Sequence, residues 1–91
     1  EPRVGNAAFR EFYNSGAHVS WRLTHWRDPV PHLPLEAMGF HHISTEVFYT
    51  EDSKNYTVCD GTGEDNHCSN KFDVDLNIED HLSYLGTKCC C

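Results

Sequence analysis

Two side chains in this sequence have the types needed for proton-transfer chemistry. They are Asp28, within Arg27-Asp28-Pro29-Val30-Pro31-His32-Leu33-Pro34, and His81, within Asp80-His81-Leu82. A carboxylate that accepts the Nδ1 proton of an imidazole leaves Nε2 free to take a proton from an alcohol, which is how a hydroxyl is activated for acyl transfer. Each residue also has an ordinary reading. Asp before Pro is a common turn residue, and a histidine beside Asp80 is commonly a solvated partner of its neighbour. Metal binding is the competing use, since seven histidines and five cysteines supply enough ligands on paper. The spacing argues against it: there is no C-x2-C or H-x3-H pair, and His67 and Cys68 are adjacent, whereas a structural zinc needs four converging ligands. His18, His25, His41 and His67 read as surface or hydrogen-bonded side chains, and no metal or cofactor is expected.

The elements that must position Asp28 and His81 follow from periodicity. Asn6 is a helix cap for a short segment in which Ala7, Ala8, Phe9, Phe12 and Tyr13 recur at spacings of three and four, with Gly16 as its stop. Its apolar stripe is expected to lie on a sheet. Val19, Trp21 and Leu23 alternate with Ser20, Arg22 and Thr24, a period of two that predicts a strand ending near His25. Pro29, Pro31 and Pro34 then forbid helix or central strand, so Asp28 sits in a stiff loop at that strand's end. Further strands are predicted at 45–49 and 55–59, joined as a hairpin by the polar stretch 50–54. A last short helix is predicted from about Glu79 to Leu85, with Asn77 or Asp80 near its start, His81 in its first turn and Gly86 as its stop.

Composition bounds the rest. With 91 residues, 38% of them hydrophobic and 23% charged, the chain makes at most one small domain with a thin core. No apolar run reaches the roughly 20 residues that cross a bilayer, so no transmembrane segment is expected. The formal charge of -7 has the wrong sign for a phosphate backbone and argues against nucleic acid as a partner. The excess acid sits in residues 51 to 91. Between Cys59 and Cys68 glycine, acid and amide dominate, so that loop has little to bury. A bridge between the two cysteines, worth about 2–3 kcal/mol on chain-entropy grounds, would be its main restraint. Cys89, Cys90 and Cys91 are then left over. Adjacent cysteines rarely bridge each other, so at least one terminal thiol is expected to pair with sequence beyond this chain. The sequon Asn55-Tyr56-Thr57 marks Asn55 as a glycosylation acceptor, and with the cysteines it points to an exported, extracellular protein.

In α/β-hydrolases the nucleophile comes first in the chain, then the acid, then the histidine, and Asp28 and His81 fit the last two places. The blocks Pro2-Arg3-Val4-Gly5-Asn6, Arg27-Asp28-Pro29-Val30-Pro31-His32-Leu33-Pro34, Gly39-Phe40-His41-His42 with Glu46, and Asp80-His81-Leu82-Ser83-Tyr84-Leu85-Gly86 resemble, in order and spacing, the fungal class 3 triacylglycerol lipases of the Rhizomucor type. The likeness spans essentially the whole chain. It implies an α/β-hydrolase fold, of which residues 1–91 are the C-terminal part of a single domain, with late strands, short helices and the acid and histidine loops. It implies Asp28 as triad acid, His81 as triad base, the local pair Cys59–Cys68, and an acyl groove lined by Val30, Leu33, Ile78 and Leu82. His42 and Glu46 match family positions and read as framework residues. The implied substrate is an acylglycerol ester at a lipid–water interface.

No Gly-x-Ser-x-Gly occurs, and the resemblance places the serine on the N-terminal side of Glu1, in a portion of the domain that is also this chain's expected partner in folding. Two other readings stand beside the lipase. A feruloyl esterase of the same fold is one, against which Leu82 beside His81 favours long acyl chains. A cysteine-stapled acidic binding module without chemistry is the other.

Overall fold

The computed structural model describes residues 1–16, 18–72 and 75–88. In chain order its elements are β1 (Gly5–Asn6), α1 (Ala7–Asn14), β2 (Arg22–His25), β3 (Phe40–His41), β4 (Glu46–Tyr49), β5 (Tyr56–Val58), α2 (Ile78–His81), β6 (Ser83–Tyr84) and β7 (Thr87–Lys88), with 3-10 turns at Val30–His32, Glu36–Met38 and Ser69–Lys71. The main sheet has the order β2-β4-β5, with β2 parallel to β4 and β4 antiparallel to β5. β1 pairs with β3 and β6 with β7, each antiparallel. The predicted hairpin forms, closed by Thr50 N–H on the Asn55 carbonyl at 3.0 Å.

α1 begins where its cap predicts, with the Asn6 side chain accepting the Phe9 N–H at 2.9 Å. Its apolar stripe meets only the small β1–β3 sheet, with Phe9 close over Gly5. No residue of the helix is buried, and Phe12 is 77% exposed.

The alternation in the first strand is real, but the buried face is the opposite one. Val19 and Trp21 lie outside the paired strand and are exposed, while Arg22 and Thr24 are buried. Register explains the inversion: Arg22 stands opposite Glu46 across the parallel pair. The Arg22 Nη2 lies 3.3 Å from Glu46 Oε2 and 2.9 Å from the Gly63 carbonyl, and Thr24 Oγ1 donates to Glu46 Oε1 at 2.5 Å. Burial lowers the Arg22 pKa while Glu46 pulls it back. A charge out of water needs such compensation, so the polar face is buried because its partners are there to receive it.

Apolar packing is correspondingly thin. Phe48, Cys59 and Cys68 form the buried cluster, with Trp26 and Phe72 against it. The Lys71 Nζ lies 4.6–5.2 Å from the Trp26, Phe48 and Phe72 ring centroids, close enough for cation–π attraction. The disulfide Cys59–Cys68 is formed. Hydrogen bonds restrain the same loop beside it: Asp65 accepts the N–H groups of Asp60 (2.9 Å) and His67 (2.8 Å), and Glu64 is tied to Arg3. Cys89, Cys90 and Cys91, and with them the expected external pairing, lie outside the described residues.

Removing one member of the buried Arg22–Glu46 pair should be costly. In the full-length protein carrying this segment, Glu46→Gln is expected to lose about 3–5 kcal/mol in urea unfolding, and the joint change Arg22→Met, Glu46→Leu to recover most of it. A loss under about 1 kcal/mol for Glu46→Gln would mean the pair behaves as a surface contact.

Candidate active site

β2 ends at His25, and a turn through Trp26 in the left-handed region (φ 37°) delivers Asp28, whose N–H returns to the His25 carbonyl at 3.0 Å. Asp28 is 1% exposed. Its Oδ1 accepts the Val30 N–H at 2.8 Å across Pro29, whose ring holds the backbone at φ -72°, as an Asx turn requires. Its Oδ2 lies 3.1 Å from His81 Nδ1 and accepts the Tyr84 hydroxyl. The two residues singled out for chemistry are therefore in contact.

α2 is shorter than expected. It is a single turn that ends at His81, its last residue, with Asn77 as cap accepting the Glu79 N–H at 3.1 Å. Gly86 is not a helix stop. Leu85 (φ 52°) and Gly86 (φ 74°) are both left-handed and form the two-residue connection of the β6–β7 hairpin, the geometry favoured for tight hairpins. This turn places Tyr84 over Asp28. Burial first, then the hydrogen bond and negative charge of Asp28, raise the Tyr84 pKa, so it stays a donor.

A carboxylate can only accept. With Asp28 ionised, Nδ1 of His81 carries the proton, and Nε2 is left with a lone pair on a side chain that is 37% exposed. An imidazole so oriented can take a proton from an alcohol and be stabilised as imidazolium by the buried acid behind it.

The acid loop is itself held through its carbonyls. Arg3, 5% exposed, donates from Nη1 to the His32 (2.7 Å) and Pro34 (3.0 Å) oxygens and from its backbone N–H to Leu33 (2.7 Å). Its Nε and Nη2 grip Glu64 at 2.8 and 2.7 Å. Burial lowers the Arg3 pKa but the Glu64 contacts outweigh it, and burial raises that of Glu64 but Arg3 and the His42 N–H outweigh it; each is more firmly charged for the other. His42 Nε2 lies 2.6 Å from the Pro31 carbonyl. Burial, followed by the charge of Arg22, pushes the His42 pKa down to about 4. Neutral His42 then donates from Nε2, as a framework residue should.

Of the residues expected to line an acyl groove, Val30 opens the 3-10 turn after the acid and Leu33 closes it, while Ile78 and Leu82 stand at the two ends of α2. Leu33 and Ile78 are 52% and 55% exposed. Asn55 is exposed in the β4–β5 turn. A separate cleft between α1 and the segment entering β2, lined by Tyr13, His18, Val19 and Trp21 among others, includes none of these residues. Arg3 and Tyr84 carry no local signal of their roles beyond lying in the quoted blocks. Among the described residues, Glu46, Cys59 and Cys68 could group as metal ligands, but the cysteines are consumed by the disulfide. Glu36, His41 and Glu64 also converge, with the Arg3 guanidinium already on Glu64.

The parallel β2–β4 pair with an acid at the end of β2 and a histidine on a later helix belongs to the α/β-hydrolase fold. The class 3 lipase family matches residues 1–38. The lipase of Rhizomucor miehei is 39% identical over 87 residues, 94% of this chain and 24% of its own length. A secreted mono- and diacylglycerol lipase of Fusarium solani is 35% identical over 97 residues, 99% of this chain and 28% of its own. A solved triacylglycerol lipase, whose catalytic centre is described as a serine protease triad, superposes with a TM-score of 0.88 at 39% identity, over 97% of this chain and 34% of its own. Over nearly its whole length the chain is thus similar to fungal lipases, and over residues 1–38 to the class 3 lipase family. It spans about a quarter of the length of the curated relatives it matches.

His42 gives the site a pH signature. Its folded pKa of about 4 lies below the ordinary 6.5, so as pH falls the unfolded chain takes up the proton first. Its contribution to stability is intact above pH 6.5, declines from there toward pH 4, and is fully lost below. Relative to His42→Gln, the full-length protein carrying this segment should lose about 3 kcal/mol across that window in unfolding experiments. Parallel pH profiles for the two proteins would contradict a neutral buried His42.

Proposed function

We propose that this chain supplies the acid and the base of a secreted serine ester hydrolase that cleaves acylglycerols, Asp28 and His81 being two members of its Ser-His-Asp triad. The observation that carries the reading is the 3.1 Å contact between a fully buried carboxylate and the Nδ1 of a partly exposed histidine. The likeness to lipases over nearly the whole chain supports it.

In this reading residues 1–91 are the C-terminal part of one domain whose other part donates the serine. His81 Nε2 takes the Oγ proton as that oxygen attacks the ester carbonyl, and Asp28 stabilises the imidazolium. His81 then returns the proton to the departing glycerol oxygen, leaving an acyl-enzyme. Water attacks that ester by the same route and releases the fatty acid. Val30, Leu33, Ile78 and Leu82, on the acid loop and around the histidine, offer apolar surface for the acyl chain; such surface gains about 25 cal/mol per Å² when covered. The lipid–water interface is where the substrate is met. Asn55, exposed in a hairpin turn, suits the glycan of an exported protein.

The test replaces the matched segment of the Rhizomucor miehei lipase with this chain, and separately uses the full-length protein that carries it. Each should hydrolyse a long-chain acylglycerol faster than a feruloyl ester. His81→Ala and Asp28→Asn should lower kcat by about a thousandfold or more at unchanged circular dichroism. Near-parental turnover in either folded variant would remove the assignment.

A further inference from the structure

α2 is a single turn, too short to hold its own position. Where it presents His81 must therefore be set from outside, and the tethers come from His25 and Arg27, just before Asp28. The Asn77 N–H, at the cap of α2, donates to the Arg27 carbonyl at 2.8 Å. His25 Nδ1 lies 2.9 Å from the carbonyl oxygen of Asp80, the residue before His81. The Arg27 side chain reaches Asp75 with Nη1 at 2.9 Å and brings Nε to 4.0 Å from Asp80 Oδ2.

The last contact differs from the others. Asp75 is 76% exposed, so its pairing with Arg27 is a weak surface contact. Asp80 is 8% exposed, and its Oδ2 and the Arg27 Nε are both buried without a hydrogen-bond partner. A carboxylate is stable in such a place only if a positive charge stands near it, and Arg27 supplies that charge. The pair runs beside the acid–histidine contact, Arg27 adjoining Asp28 and Asp80 adjoining His81.

Building on the triad assignment above, we infer that Arg27 is a positioning residue. Through the buried carboxylate of Asp80 it fixes α2 against the end of β2, and so sets the direction of His81 relative to Asp28 and to the serine. It touches neither substrate nor the reacting atoms. Its loss leaves Asp28 and the acyl surface in place but lets the His81 imidazole drift, and drift of about 1 Å in a catalytic group is worth about a hundredfold in rate.

The test uses the full-length protein that carries this chain. Arg27→Ala and Asp80→Ala should each lower kcat on a soluble ester by about tenfold to a hundredfold with KM within about twofold of the parent. The double variant should be no slower than the slower single, because both changes release the same contact. Arg27→Lys, which keeps the charge, should restore part of the loss. Where an alanine variant does not fold, Arg27→Gln and Asp80→Asn, which keep a polar side chain and remove the charge, are read in the same way. Folded variants with parental kcat, or losses that multiply in the double variant, overturn the inference.

A second readout is independent of turnover. The Nδ1 proton of His81, identified by its loss in His81→Asn, should give a downfield resonance in the parent that is shifted or lost in Arg27→Ala. An unchanged resonance overturns the inference. A parent that hydrolyses no ester overturns the proposed function instead, and the resonance still decides the role of Arg27.

Discussion

A carboxylate buried as deeply as Asp28 is tolerated only when donors meet its lone pairs, and the described structure brings three to it. The Val30 N–H comes from its own turn, the Tyr84 hydroxyl from the β6–β7 hairpin, and the His81 Nδ1–H from α2. Two of these donors lie more than 50 residues from the acid in sequence, so the acid is also a point at which the first and last parts of the chain are joined. An unmet donor or acceptor in that position would cost the full desolvation of a charge. The demand for partners is thus a folding constraint before it is a catalytic one, and the histidine is one of the answers to it.

The same constraint organises the rest of the interior. Where apolar packing is confined to a few aromatic rings and a disulfide, the framework around Asp28 is built from paired charges and filled carbonyls. Arg22 and Glu46 neutralise each other between neighbouring strands. Arg3 binds three successive residues of the acid loop through one backbone and two side-chain donors, and passes its remaining charge to Glu64 in the loop that the disulfide closes. His42 fills a fourth carbonyl from the other side while neutral. Such contacts are directional, unlike apolar burial, and they hold the Pro-rich loop to a single orientation. That orientation is what a general acid–base pair needs.

What could be read from the sequence was whatever is decided within a few residues. The Asn6 cap and the three-and-four spacing after it located α1, the β-branched and aromatic runs located β4 and β5, and the prolines after Arg27 located the acid loop. Which face of β2 is buried was not legible, because it depends on Glu46 in another strand, and hydrophobicity alone pointed to Trp21 rather than Arg22. The end of α2 was misread for a different reason. Leu85-Gly86 serves equally as a helix stop and as a hairpin turn, and the choice is made by Tyr84 reaching Asp28, a contact that spans most of the chain. The pairing of Asp28 with His81 came from motif resemblance, since neither residue's neighbours say what lies across from it. Arg3 and Glu64 were invisible for the same reason.

These long-range contacts share a direction. Groups within three positions of Asp28 or His81 repeatedly carry the positional load: His25 and Arg27 before Asp28, Asp80 before His81, Pro29 and Val30 after the acid. Asp28 spends Oδ1 on the Val30 N–H of its own turn and Oδ2 on Tyr84 and His81, and His81 spends Nδ1 on Asp28, so neither side chain ties α2 to its surroundings beyond their mutual contact. The anchoring therefore falls to the adjacent residues, whose side chains alternate or step away from the reactive face and are free to be buried in pairs. A site of this kind is better described as two adjoining rungs than as one contact. In the proposed reading the inner rung, Asp28 with His81, orients the imidazole that takes the proton, and the outer one, Arg27 with Asp80, keeps the inner one in line.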